Sequence, residues 1–138
     1  MSCFAPGYAG KKEVIMAESL TTALAAYGID YVDAMDRFGD NAELYERLAL
    51  KYLNDNHYVS LVAAMEAKDY EEGYSQAHSL KGVSGNLSFR ELFQVAAYVS
   101  DALFAGEIDA AQNHMAALGD AHKKVVEGLE AWKSGQLA

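Results

Sequence analysis

A chain of 138 residues is the size of one ordinary domain, large enough to bury a core without disulfides or structural metals. Its formal net charge of −9 argues against nucleic acid as the main partner, because phosphate backbones are held by clustered Lys and Arg. Cys3, the single cysteine, excludes an internal disulfide and a multi-cysteine metal site, and no apolar run reaches the roughly 18 residues of a membrane-spanning helix.

One proline, Pro6, and abundant alanine and leucine predict an all-α protein. Residues 1–10, with Pro6, Gly7 and Gly10, read as a flexible N-terminal tail, and residues 11–138 as a single helical domain. The first residues lack a basic stretch followed by an apolar one, so no secretory signal is expected and the expected compartment is the cytoplasm.

Val14, Ala17, Leu20, Leu24 and Tyr27 recur at helical spacing, and Gly28 stops that helix. Asp30 caps a short helix carrying Val32, Met35 and Phe38 and ending at Gly39. Asp40, with Glu43 at the third helical position, predicts a reciprocal cap for the next helix, whose stripe is Leu44, Leu48 and Tyr52. Asn54-Asp55-Asn56 breaks or kinks the chain, since these side chains compete for backbone hydrogen bonds. Helical spacing resumes near His57 with Leu61, Ala64 and Met65; one bent helix and two separate ones both fit residues 40–67.

Asp69 with Glu72 opens a helix ending near Asn86, and Ser88-x-x-Glu91 reads as a capping box for the following one. Leu92, Val95, Val99 and Leu103 make that helix's buried stripe, and Gly106 breaks it. A last helix is predicted from about Glu107 to Trp132, with Ile108, Met115, Leu118, Val125 and Leu129 inward. Four substantial helices on short connections predict an up-down antiparallel four-helix bundle with one or two additional short N-terminal helices.

The run Ala77-His78-Ser79-Leu80-Lys81-Gly82-Val83-Ser84-Gly85-Asn86-Leu87 carries the chemistry. At about 100° per residue, Glu71, Tyr74, Ser75, Lys81, Gly82 and Gly85 share a face with His78, while Ala77, Leu80, Val83 and Leu87 turn toward a core. Glycine in a helix costs about 1 kcal/mol relative to alanine. Two beside one histidine imply that access matters: without Cβ atoms next to it, the imidazole can meet another protein's surface. An ordinary imidazole is largely neutral at cytoplasmic pH and is then a good nucleophile toward phosphorus.

This run resembles the phosphoacceptor motif of histidine-containing phosphotransfer (HPt) domains, H-x-L-K-G followed by a small residue, Asn and an apolar residue. Gly28-Ile29-Asp30, Arg37-Phe38-Gly39-Asp40 and Leu44-Tyr45 resemble the family's first helices, and Glu66-Ala67-Lys68-Asp69-Tyr70 its turn into the histidine helix. The likeness spans about residues 20–133. Ser88 departs from the glycine usual in the family, and a capping role would account for the exchange.

The resemblance implies a free-standing monomeric phosphoryl carrier in a multistep two-component relay. His78 would accept phosphate through Nε2 from an aspartate of a response-regulator receiver domain and return it to another, with a hybrid histidine kinase upstream. Lys81 would support the phosphoryl group, since its ammonium can swing toward it. Gly82, Gly85, Tyr74, Ser75 and Asn86 would form the access and docking face. No acidic cluster surrounds the histidine, whereas phosphoryl transfer needs a metal or equivalent charge clamp, so Mg²⁺ is expected on the receiver and no cofactor or metal on this chain.

Two other readings use the same residues. An HPt-like module could bind receivers or kinases without carrying phosphate; its hallmark would be loss of the histidine or of the following Lys-Gly, and all three residues are intact. An enzyme using His78 as general base would need a concave site, which a convex helix face does not supply. His57, His114 and His122 read as ordinary histidines. A diiron bundle needs Glu three residues before histidine, where Asn54, Ser75, Ala111 and Gly119 stand. Phe38, Tyr45, Tyr52, Phe89, Phe93 and Trp132 read as core.

Overall fold

A computed structural model describes residues 18–137. The predicted tail at 1–10, Cys3, Val14 and Ala17 lie outside the described residues. Helix α1 is helical over 18–25. It is followed by α2 (Tyr31–Arg37), α3 (Ala42–Leu50), a 3-10 turn (Lys51–Asn54), α4 (His57–Glu66), α5 (Tyr70–Asn86), α6 (Arg90–Phe104), α7 (Ile108–Asn113) and α8 (Met115–Lys133). Every regular element among the described residues is therefore helical, and none of these helices is long and apolar enough to cross a membrane.

Helices α4, α5, α6 and α8 make the bundle. α5 lies along both α4 and α6, and α6 along α8. The ring closes where Tyr58 of α4 stacks on His122 of α8, centroids 4.2 Å apart. The three-residue corner 87–89 forces α6 to run back along α5, so Gly85 meets Phe93 at one end of the pair and Gly73 meets Leu103 at the other. Leu61, Leu80, Leu92, Val99, Leu118, Val125 and Leu129 fill the interior. Each such side chain contributes about 1.5–3 kcal/mol when fully buried.

The region 40–67 is two helices. After α3 the chain tightens into the 3-10 turn, and Asp55 uses Oδ1 to accept from the backbone N–H of His57 (2.8 Å), which starts α4 afresh. Asp30 caps α2 as predicted, its carboxylate accepting from Asp33 N–H at 3.0 Å. The buried stripes of α2 and α3 are displaced from the expected ones. Tyr31 and Ala34 are buried while Val32 is 65% exposed, and Tyr45 and Ala49 are buried while Leu44 and Leu48 are half-buried.

Two predicted caps are corrected for one reason. Asp40 does not cap α3; it has φ +61° and its N–H returns to Met35 O (2.8 Å), so it closes α2, and Asn41 caps α3 by accepting from Leu44 N–H. Likewise Ser88 does not open α6. It has φ +60°, its N–H bonds Gly85 O, and Phe89 N–H bonds Ser84 O, the paired hydrogen bonds that close a helix around one left-handed residue. Phe89 is the N-cap of α6 and brings no capping side chain, while Glu91 pairs with Lys124 of α8 at 3.0 Å.

The single last helix is also corrected: it is interrupted at His114. The His114 ring donates from Nδ1 to Ala110 O at 3.0 Å, taking the carbonyl that its own N–H would reach in a continuous helix. The N–H turns to Ala111 O instead, and Tyr98 stacks on the ring with centroids 3.9 Å apart.

Candidate functional site

α5 carries the histidine and is defined at both ends. Asp69 accepts from Glu72 N–H (3.2 Å), Glu71 and Glu72 place negative charge at the positive end of the helix dipole, and the Ser88 closure stops it. Gly73, Ala77, Leu80 and Ser84 form the buried stripe. Ser84 satisfies its hydroxyl inside by donating to Leu80 O at 2.7 Å. His78 lies opposite that stripe and is exposed.

The four histidines are held very differently. His57 bonds Asp55 through Nδ1, His114 bonds Ala110 O, and His122 bonds the Tyr52 hydroxyl at 2.8 Å. Burial pushes the His122 imidazole below its ordinary value, with Asp55 opposing weakly. Among the described residues, neither ring nitrogen of His78 has a hydrogen-bond partner. Its ring stacks on Tyr74, one turn earlier, at 5.7 Å between centroids and 28° between planes. The stack restrains the imidazole while leaving its nitrogens open.

Tyr74 in turn touches Phe104, the last residue of α6, at 5.5 Å, and Phe104 is 77% exposed. His78, Tyr74 and Phe104 therefore make an aromatic strip across the α5–α6 hairpin. Phe104 escapes a reading of single-helix periodicity. The signal that finds it is the antiparallel pairing about the 87–89 corner, which sets position 104 beside position 74.

Lys81 is half-buried and has no ion-pair partner among the described residues. The two glycines differ. A Cβ on Gly82 would meet nothing within 4 Å, so no contact within the described chain demands glycine there. A Cβ on Gly85 would stand 2.9 Å from Phe93 Cδ1, so Gly85 lets α6 approach α5, a packing duty that the reading as an access residue missed. Ser75 and Asn86 are exposed, and among the described residues neither side chain is engaged in a hydrogen bond.

Contrary to the convex face expected, His78 itself lines a groove of about 500 Å³ whose floor is the Lys81–Asn86 stretch of α5 and whose walls are α2 and the start of α6. Arg37 and Arg90 line it, and sequence reasoning missed both because they come from other helices. α2 is fastened to the α5–α6 corner. Asp30 N–H donates to Ser88 O (2.9 Å), Arg90 pairs with the Asp30 carboxylate (3.2 Å), and Asp33 Oδ2 accepts from both Arg37 Nε (2.8 Å) and Ser88 Oγ (2.7 Å). The Arg37 and Ser88 donors hold the Asp33 carboxyl below the usual carboxylate range. Tyr45 completes the fastening from α3, its buried hydroxyl donating to Leu87 O at 2.6 Å.

Residues 40–132 match the model of the family described as Hpt domain. No curated protein and no solved structure matches the chain. The matched stretch begins after α2, so the wall of the groove bearing Arg37 lies outside it.

Proposed function

The chain belongs to the Hpt domain family, and on that premise we propose that His78 is the phosphoacceptor of a two-component phosphorelay. In this reading Nε2 of the neutral imidazole attacks the phosphorus of an aspartyl phosphate on a receiver domain. The N–P bond forms as the P–O bond to the carboxylate breaks, the carboxylate leaves with the electron pair, and the Nδ1 proton is released to water. The reverse sequence returns the phosphoryl group to a receiver aspartate. The chain is a carrier; the receiver brings the aspartate and the Mg²⁺ that balances charge as phosphorus is transferred.

The observation that supports this reading is the freedom of the His78 ring. Three histidines are tethered through a ring nitrogen to groups of this chain, and the fourth stands exposed on a helix with a Cβ-free residue one turn on. A buried or tethered imidazole could not reach a partner's active site. Lys81, beside it and without an ion-pair partner among the described residues, suits a phosphoryl group on His78 through a charge-assisted hydrogen bond.

The test is incubation with a phosphorylated receiver domain. One acid-labile, base-stable phosphate per chain is expected, and His78→Gln abolishes it. Labelling that persists in that variant overturns the site assignment, and tight receiver binding with no label in the unaltered chain favours the non-carrying interaction module.

A further inference from the structure

In a chain of net charge −9, the groove beside His78 is a local inversion of sign. Among the described residues, Arg37, Lys81 and Arg90 line it against one lining carboxylate, Asp33, and a second, Asp30, pairs with Arg90. The Asp33 carboxylate takes two donors on Oδ2, the Arg37 guanidinium and the Ser88 hydroxyl, which offset part of its charge. The arginines, by contrast, are not used up by their ion pairs. Arg37 gives Asp33 its Nε and Arg90 gives Asp30 one terminal nitrogen, while the side chains stay 50% and 66% exposed. A guanidinium carries five N–H donors, so each keeps most of them for another acceptor.

The placement matters as much as the charge. The floor of the groove is the turn of α5 just beyond His78, and Gly82 adds no side chain to that floor. A protein that seats its phosphorylated residue on His78 therefore lays adjoining backbone and side chains over the groove. One wall comes from α2, which Asp30 and Asp33 fasten to the corner, so Arg37 is held in position before a partner arrives.

We propose that this groove takes an acidic surface segment of the receiver next to its phosphoaspartate, with Arg37 and Arg90 selecting among receivers by charge. The proposal rests on the phosphotransfer reading of His78 and adds to it a discriminating surface built partly outside the matched family region. Such charges act chiefly on encounter and register, so the effect lies in KM and in its dependence on salt.

The experiment measures transfer from purified phosphorylated receiver domains of the same genome, as KM and kcat over a range of salt. For the preferred receiver, the Arg37→Gln/Arg90→Gln double variant is expected to raise KM roughly tenfold and flatten its salt dependence. Arg37→Lys keeps most of the affinity, and Arg47→Gln, which removes a charge outside the groove, behaves as the unaltered chain. Asp33→Asn separates charge from architecture: it loosens the fastening of α2 but leaves every cation, so KM rises far less than in the double variant.

An unchanged KM and salt slope in the double variant overturns the groove's role while His78 remains the acceptor. So does an equal loss in Arg47→Gln, which would report net charge alone. A rise in KM for Asp33→Asn matching that of the double variant overturns it in favour of a purely structural α2. Failure of the unaltered chain to take label from any receiver removes the phosphotransfer reading and the groove's occupant together.

Discussion

The hydroxyl of Ser88 donates to Oδ2 of Asp33 at 2.7 Å across 55 residues of sequence, joining the corner after the histidine helix to α2. Ser88 sits at φ +60°, where a Cβ is strained by its own backbone and glycine is the usual occupant. The strain costs about 1 kcal/mol, and the hydrogen bond offsets a similar amount. Serine therefore replaces glycine here by adding a tie that glycine cannot make.

An unusual ordering follows for this position. Ser88→Gly loses the tie but relieves the backbone, so its stability stays within about 1 kcal/mol of the unaltered chain. Ser88→Ala loses the tie and keeps the strain, and is destabilised by about 1–2 kcal/mol. Urea unfolding of the two variants checks the order; alanine equal to or better than glycine refutes the strain argument.

Gly82 and Gly85 respond in opposite directions to the same substitution. Gly82→Ala gains helix propensity with no clash, raising stability by about 0.5–1 kcal/mol, and slows transfer because the new methyl group meets the partner. Gly85→Ala drives a Cβ against the Phe93 ring at 2.9 Å, and the shift this forces costs about 1–3 kcal/mol, more than the propensity gain. Melting temperatures and transfer rates of the pair, measured together, separate clearance for a partner from clearance for α6.

Phe104 is nearly free of the core, so Phe104→Ala changes stability by less than about 0.5 kcal/mol. It also removes the end of the aromatic strip beside His78. Aromatic anchors carry a large share of interface energy, so a several-fold rise in receiver KM is expected. Kinetics with an unchanged KM would place Phe104 outside the contact surface.

His122 makes the fold sensitive to mild acid. Burial lowers its pKa from the ordinary 6.5, so the unfolded chain takes up a proton at a higher pH than the folded one does. Stability is whole above that ordinary value and falls as pH drops through the interval down to the lowered value. Asp33, lowered from 3.8, adds its own loss only in stronger acid. Urea midpoints between neutral pH and about pH 5 are expected to decline, and His122→Gln flattens that decline. An unaltered slope in the variant would assign the pH dependence to other groups.

Much was legible in residue order because it depends on local chemistry. Helix formers, one proline and the Asp30 and Asp69 caps gave the helical class and the starts of α2 and α5, and the period of 3.6 put His78 opposite Ala77 and Leu80. Positions 40 and 88 were misread because polar residues that suit a cap also tolerate a left-handed backbone. Which role they take depends on where the preceding helix closes. His114 interrupted the last helix through its own ring and the Tyr98 stack, which periodicity does not encode.

What only tertiary structure decided is everything made by two or more helices meeting. Residue order puts Gly82 and Gly85 on one face, and it is Phe93, standing against Gly85 alone, that separates their roles. Arg37, Arg90 and Phe104 reach the histidine's surroundings from α2 and α6 because a three-residue corner folds α6 back along α5 and Ser88 ties α2 to that corner. The sequence determined that His78 faces outward from its helix, since that is a property of one residue on one helix. The walls around it are set by packing between distant segments, which no local pattern records.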